Sequence, residues 1–127
     1  MRALLDVCVL TALMNGGHTM HTPAMTWLES EAHQVRASCP LTQNGVVRIV
    51  SQPAYPPPRP AAQVAQRLAQ ACSAPEHAFW AADVSVLDTR VIGWQRLLGH
   101  RQVTDAYLLA LAVRNQGRLA TFDLRIA

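Results

Sequence analysis

The sequence predicts an α/β fold with three α/β/α layers around a short parallel sheet. Short apolar runs that suit strands alternate along the chain with longer segments whose apolar residues follow the helical period. Strands that alternate with helices favour a parallel sheet covered by helices on both faces. The chain has 127 residues, 50% of them hydrophobic, which suits a single domain over residues 1–127 around one core. Ligands of such sheets bind beyond the carboxyl ends of the strands.

Two strands and three helices are predicted in the first part of the chain. Pro23 after Thr22 is typical of a first helical residue and its N-cap, and Thr42 can cap the third helix. The predicted elements are a strand at 3–5, a helix at 9–14, a helix at 23–36, a strand at 37–40 and a helix at 43–51.

The second part of the chain begins with a proline-rich stretch at 53–60. Because proline lacks a backbone donor, this stretch is predicted to be an extended connector, with a PxxP ligand as the alternative. Thr104 can cap the long apolar helix that follows, and Gly117 can end it. The predicted elements are a helix at 61–71, a strand at 78–80, a short helix at 94–98, a helix at 105–115 and a strand at 118–121.

Composition excludes several kinds of site. All eleven basic residues are arginine, which excludes a Walker A loop and Schiff-base chemistry, since both need lysine. The three cysteines are widely spaced, which favours reduced core thiols over a disulfide framework or a CxxC zinc site. The formal charge of +3 mildly favours a polyanionic partner.

The first 14 residues are apolar but short, contain Arg2 and Asp6, and lack a small-residue cleavage site. They favour a first strand and helix over an export signal. No membrane association is expected, and the predicted location is the cytoplasm.

Three aspartates border apolar runs: Asp6 ends the first, Asp105 opens the long helix and Asp123 follows the last. An ionised carboxylate near a core is costly unless something pairs with it. Two carboxylates about 4 Å apart repel by roughly 4 kcal/mol at an effective dielectric of about 20, so converging acids need a cation or a shared proton. Hard divalent ions are the usual partners. For Asp105, a helix-start acid that complements the dipole is the alternative.

Three segments carry a resemblance that covers nearly the whole chain. They read LLDVCVLTAL at 4–13, CPLTQNGVVRIVSQP at 39–53 and HRQVTDAYLLALAVRNQGRLATFD at 100–123. In this order they resemble the PIN-domain ribonucleases, and in particular the VapC toxins of toxin–antitoxin pairs. The last segment is the most specific, because a TDAYLLALA helix followed by a LATFD strand is hard to obtain from a generic α/β domain.

The resemblance implies an endoribonuclease toxin that uses Mg2+ or Mn2+ to hydrolyse RNA phosphodiesters. It also implies a VapB-like antitoxin protein as partner, and a homodimer. Of the acidic quartet of the family, Asp6 matches the first position, Gln43 the second, Asp105 the third and Asp123 the fourth. Gln43 carries no charge, although its amide oxygen can still ligate a hard cation. Cys8 stands where the family often has asparagine, and a soft thiol is a poor substitute.

Supporting residues are predicted less specifically. Arg48 and Arg101 flank acidic positions and are candidates for holding substrate phosphates, with solvated or structural arginines as the alternative. Thr104 and Thr121 can support the acids by hydrogen bonding, but a cap or a strand former is the more common role.

Two other classes of function stay open. One is a catalytically weakened PIN scaffold that binds RNA or a protein partner without cleavage, because of Gln43 and Cys8. The other is a phosphatase-like or phosphoacceptor domain, which the lack of lysine and of a DxD motif at Asp6 disfavours.

Overall fold

A computed structural model describes residues 1–30, 35–96 and 99–122 of the chain. Its sheet has four parallel strands in the order β3-β2-β1-β4. The strands are β1 (Ala3–Leu5), β2 (Arg36–Ser38), β3 (His77–Phe79) and β4 (Arg118–Ala120). The predicted short parallel sheet is therefore confirmed.

Helices pack on both faces of this sheet. They are α1 (Val7–Met14), α2 (His21–Ser30), α3 (Pro40–Val50), α4 (Ala61–Cys72) and α5 (Val103–Arg114), with 3-10 turns at Trp94–Arg96 and His100–Gln102. Successive side chains of a strand point to opposite faces. Accordingly, Ala3 and Leu5 of β1 belong to a buried cluster with residues of α1, α3 and α4, whereas Leu4 packs with residues of α5. The predicted three layers are confirmed.

Three helices begin earlier than their predicted capping threonines. α3 begins at Pro40, which has no N–H to leave unsatisfied in the first turn, and Cys39 is its N-cap. Thr42 is instead the third helical residue, where its hydroxyl accepts the Cys39 N–H at 3.0 Å. α5 has Gln102 as N-cap, so Thr104 lies within its first turn. α2 begins at His21, so Thr22 also lies inside its helix, and all three predicted N-caps are wrong.

The turn between α5 and β4 uses Gly117 differently from the prediction. The helix ends at Arg114, and the left-handed residue of the turn is Gln116, with φ 57°. Gly117 serves close packing instead, because a Cβ there would lie 2.5 Å from the Trp80 ring and 2.6 Å from the Arg2 carbonyl oxygen. This glycine lets the chain enter β4 directly against the sheet.

The remaining differences from the prediction are small. α2 begins two residues before Pro23, and β2 and β3 are each shifted toward the amino end. The predicted short helix is a 3-10 turn at Trp94–Arg96, and residues 97–98 lie outside the described part. Cys8 is exposed rather than in the core, whereas Cys39 is buried and Cys72 is partly buried. No described helix has the length and apolar character that a membrane crossing requires.

Candidate metal centre

Asp6 directly follows β1 and is the N-cap of α1. The residue is only 7% exposed. Oδ1 accepts the Val7 N–H at 2.7 Å, and Oδ2 accepts the Thr121 hydroxyl at 2.9 Å. Among the side chains that the structure describes, no arginine forms an ion pair with it. Because a carboxylate has about four lone-pair positions, these two bonds leave room for a cation.

The carboxyl end of β4 lies beside Asp6. Leu5 pairs with Ala120, and the Asp6 N–H donates to the Ala120 carbonyl at 3.0 Å. This register brings Thr121 to the Asp6 carboxylate, so the supporting role of Thr121 is the one that the structure favours. Asp123 follows two residues later and lies outside the described residues, so its place in the site stays a prediction.

Asp105 lies in the first turn of α5 and is half-buried. α5 ends shortly before β4 begins, so the helix runs antiparallel to the strands and starts at their carboxyl edge. Leu108 of α5 packs with Leu4 of β1, which places this helix start on the same part of the sheet as Asp6. Within residues 1–30, 35–96 and 99–122, no three His, Cys, Asp or Glu side chains converge. The predicted acidic group also includes Asp123, which those ranges do not cover.

Gln43 lies near the start of α3, above the end of β2. Its Nε2 donates to Ser38 Oγ at 2.9 Å. Ser38 is fully buried, and its Oγ lies 2.7 Å from Nε2 of His77 on β3. Because Leu4 pairs with Ala37, Ser38 lies next to the residue that precedes Asp6. The structure thus brings Gln43 to the same sheet edge as Asp6.

His77 is held in its neutral form. Burial is the largest cause that lowers its pKa from the ordinary 6.5, followed by the positive charge of Arg36, while a hydrogen bond with the Cys72 backbone acts in the opposite direction. Arg2 lowers the pKa further. The ring is therefore uncharged at neutral pH, with one nitrogen that donates and one that accepts.

Sequence reasoning missed both Ser38 and His77. The only signal in the sequence is the pair of polar residues within two short strands whose other residues are apolar or basic. Nothing local indicates that the two side chains meet, since they are 39 residues apart along the chain.

A close contact joins α1, which begins directly after Asp6, to α3, which carries Gln43. A Cβ on Gly45 would lie 2.8 Å from Cγ2 of Val7, the residue after Asp6. The missing side chain lets the start of α1 approach α3 closely. In the sequence this glycine indicates only a weak helix position. In the fold it lets the helix that follows β1 pack closely against the helix that follows β2.

The two predicted phosphate-binding arginines are placed differently. Arg48 is exposed in the last turn of α3, about 7.5 Å along the helix axis from Gln43 and away from the strand ends. Arg101 lies in the 3-10 turn that precedes α5, close in sequence to Asp105, but its side chain is outside the described part. The structure does not bring Arg48 to the acidic edge.

Comparison with known proteins identifies the class. No family model matches the chain. The chain is 50% identical to Ribonuclease VapC44 of Mycobacterium tuberculosis over all of its own 127 residues and 89% of that protein. It is 42% identical to Ribonuclease VapC38 of the same organism, over 95% of the chain and 84% of that protein. The crystal structure of Mycobacterium tuberculosis VapC20, a Sarcin-Ricin loop cleaving toxin, superposes with a TM-score of 0.69 at 15% identity, covering 98% of this chain and 92% of the other.

A parallel sheet with acids at its carboxyl edge and helices on both faces is the PIN architecture, and its class is the PIN-domain nucleases. The chain belongs to the VapC family of ribonucleases. The predicted family, fold class and class of enzyme are thereby confirmed.

Proposed function

We propose that this protein is a VapC-type toxin that hydrolyses RNA with a Mg2+ or Mn2+ ion held at the carboxyl edge of the sheet. The observation that carries the proposal is the state of Asp6. This carboxylate is buried, is oriented by two hydrogen bonds, and has no arginine partner among the described side chains. A buried charge without a partner favours a bound cation.

The donor set fits a hard divalent ion, because every candidate ligand offers oxygen. We assign direct ligation to Asp6 and Asp105 and expect Asp123 to complete the set. Gln43 would add a neutral amide oxygen from α3. When bound, the ion would activate water and neutralise charge that develops on the phosphodiester.

Other residues of the chain orient the ligands and bind the substrate. The Val7 N–H and the Thr121 hydroxyl hold the Asp6 carboxylate in one orientation before any ligand arrives. Arg101, ahead of α5, is the better placed of the two arginines for a substrate phosphate. Arg48 would reach only an RNA that extends along α3. The formal charge of +3 supports a polyanionic substrate.

Membership of the VapC family supports a VapB-like antitoxin as the protein partner, and we propose a homodimer that works in the cytoplasm, where its substrate is found. A mostly apolar cavity of about 410 Å³ lies next to the site, between the starts of α3 and α5. Its lining includes Leu41, which is 42% exposed, and Val103, which is 37% exposed. Exposed apolar surface beside an acidic site supports a protein partner there.

Cleavage of RNA by the Asp6→Asn variant tests the proposal. Asparagine preserves the size of the side chain but removes its charge, so the rate in Mg2+ or Mn2+ should fall by more than the about 10- to 100-fold typical of an outer-shell partner. Asp83→Asn is the matched control, because Asp83 pairs with Arg114 on the surface. That control should cleave within about twofold of the wild type. Cleavage that survives Asp6→Asn in a folded protein would overturn the assignment.

The alternative is a PIN scaffold that binds RNA without cleaving it, and the neutral Gln43 is the observation that favours it. This alternative predicts that RNA binding is equal with Mg2+ and with EDTA. It also predicts that the wild type does not cleave RNA in Mg2+ or in Mn2+. Cleavage that requires Asp6 would reject it.

A further inference from the structure

Three side chains form a hydrogen-bonded series behind the candidate site. Gln43 Nε2 lies 2.9 Å from Ser38 Oγ, and Ser38 Oγ lies 2.7 Å from His77 Nε2. The Cys72 thiol is 3.8 Å from the same hydroxyl. Ser38 is fully buried, so water does not compete for these bonds.

One assignment of protons satisfies the whole series. In the neutral His77 ring one nitrogen donates and the other accepts, and with the proton on Nδ1 the accepting nitrogen is Nε2. Nε2 is the ring nitrogen that faces Ser38, at 2.7 Å from its hydroxyl oxygen. The Ser38 hydroxyl then gives its single proton to His77. It can accept from Gln43 but cannot donate to it.

The consequence reaches the amide of Gln43. An amide has two ends of similar shape, and only the oxygen end can face a cation. If Ser38 can only accept, the amide turns its NH2 group toward Ser38, as observed. Its oxygen is then turned away from Ser38.

We propose that Ser38 and His77 are positioning residues that orient the Gln43 amide so that its oxygen, rather than its nitrogen, faces the metal site. The His77 tautomer sets the Ser38 hydroxyl, and the hydroxyl sets the amide. The inference rests on the proposed function, because it assumes a cation at this edge.

The chemistry explains why this chain needs such a series. A glutamate at position 43 would present an oxygen in either orientation, so nothing would have to orient it. A glutamine presents an oxygen in one orientation and two N–H groups in the other. The neutral ligand thus depends on its hydrogen-bond partners to select the end that faces the cation, whereas a carboxylate needs no such selection.

A double-mutant cycle tests this dependence through the affinity for Mn2+, measured by calorimetry on the full chain. Ser38→Ala should weaken Mn2+ binding by about tenfold when residue 43 is glutamine. In the Gln43→Glu background the same change should cost less than about threefold, because both carboxylate atoms are oxygen. An equal loss in the two backgrounds would mean that Ser38 acts only through packing, and it would overturn the proposal.

His77→Phe provides a second, independent variant. Without the ring acceptor, the Ser38 hydroxyl is released to donate to the amide oxygen, which turns the amide nitrogen toward the site. Mn2+ affinity should fall by about tenfold with the native Gln43 and by less than about threefold in the Gln43→Glu background. Melting temperatures in EDTA show whether each variant is folded. Loss of affinity of the same size in both backgrounds contradicts the proposal here as well.

Asp6→Asn separates this inference from the proposed function. If Asp6→Asn leaves Mn2+ binding intact, the proposed site itself is wrong. If Asp6→Asn abolishes binding while the Ser38 losses are equal in the two backgrounds, only the orientation proposal fails.

Discussion

The carboxyl ends of β1 and β2 lie side by side but hold their functional groups in opposite ways. At β1 the group is a charged carboxylate, Asp6, which its own helix and the Thr121 hydroxyl contact directly. At β2 it is a neutral amide, Gln43, whose hydrogen bonds continue through Ser38 to His77. A carboxylate has two equivalent oxygens, so its partners only need to hold it. An amide has two different ends, so its partners must also select between them.

The comparison shows what replacing a charged ligand requires. The charge at β1 is favoured by the start of α1, where the helix dipole stabilises an anion. No such gain exists for an amide at β2. Whether the Gln43 amide can serve as a ligand depends instead on a neutral histidine, His77, which burial and Arg36 keep uncharged.

The largest expected effect is at the β1 end. Thr121→Val preserves the shape of the side chain but removes the hydroxyl that bonds Asp6 Oδ2. Mn2+ affinity and the rate of RNA cleavage should fall by about 10- to 100-fold, as is typical when a ligand loses its partner. Thr26→Val, on an exposed position of α2, is the control and should stay within about twofold. Unchanged affinity in Thr121→Val would show that Asp6 needs no such support.

Gln43→Glu makes the β2 end resemble the β1 end. The added charge should tighten Mn2+ binding by about tenfold, which is about 1.4 kcal/mol. Without metal, repulsion between the two carboxylates should lower the melting temperature, so the rise on adding Mn2+ becomes larger. Gln63→Glu, on an exposed position of α4, should change neither quantity appreciably. Equal Mn2+ affinity in Gln43→Glu and the wild type would show that residue 43 is not a ligand.

Gly45→Ala tests the contact that joins the two ends. Alanine would force its Cβ against the stiff side chain of Val7, at 2.8 Å from Cγ2. Overpacking costs about 1–3 kcal/mol, of which a better helix former offsets about 1 kcal/mol, so urea unfolding should show a net loss of about 1 kcal/mol. Adding Val7→Ala should relieve the clash. If Gly45→Ala alone stabilises the protein, the two helices are not in tight contact.

The smallest effect concerns pH and the β2 end alone. Since the pKa of folded His77 lies below 6.5, the folded protein takes up a proton less readily than the unfolded chain. The free energy of unfolding should therefore be highest above pH 6.5 and decrease as the pH falls from 6.5 through the lower folded pKa. His77→Phe should reduce this slope when urea unfolding is measured across the window. If the free energy of unfolding depends on pH in the same way in the wild type and in His77→Phe, the prediction is wrong.

Much of the fold could be predicted from local pattern. The apolar run before Asp6 and the helical spacing of residues 9–14 and 105–115 depend on neighbours in sequence, and the observed elements match them closely. Helix starts were less predictable, because Thr42 and Thr104 have the same capping chemistry whether they stand at the N-cap or inside the first turn. At α3 the choice was made by Pro40, and by the hydrogen bond between Thr42 and Cys39.

By itself, the sequence determined the order of the elements, the family, and the acids that end or open apolar runs, since each is a property of residues close together in the chain. Only the tertiary structure decided how those positions are supported. The hydroxyl of Thr121 reaches Asp6 across 115 residues, and Ser38 meets His77 across 39. Such pairs arise from the parallel register of strands that are distant in sequence, and a hydrogen bond between them leaves no periodic pattern in the chain.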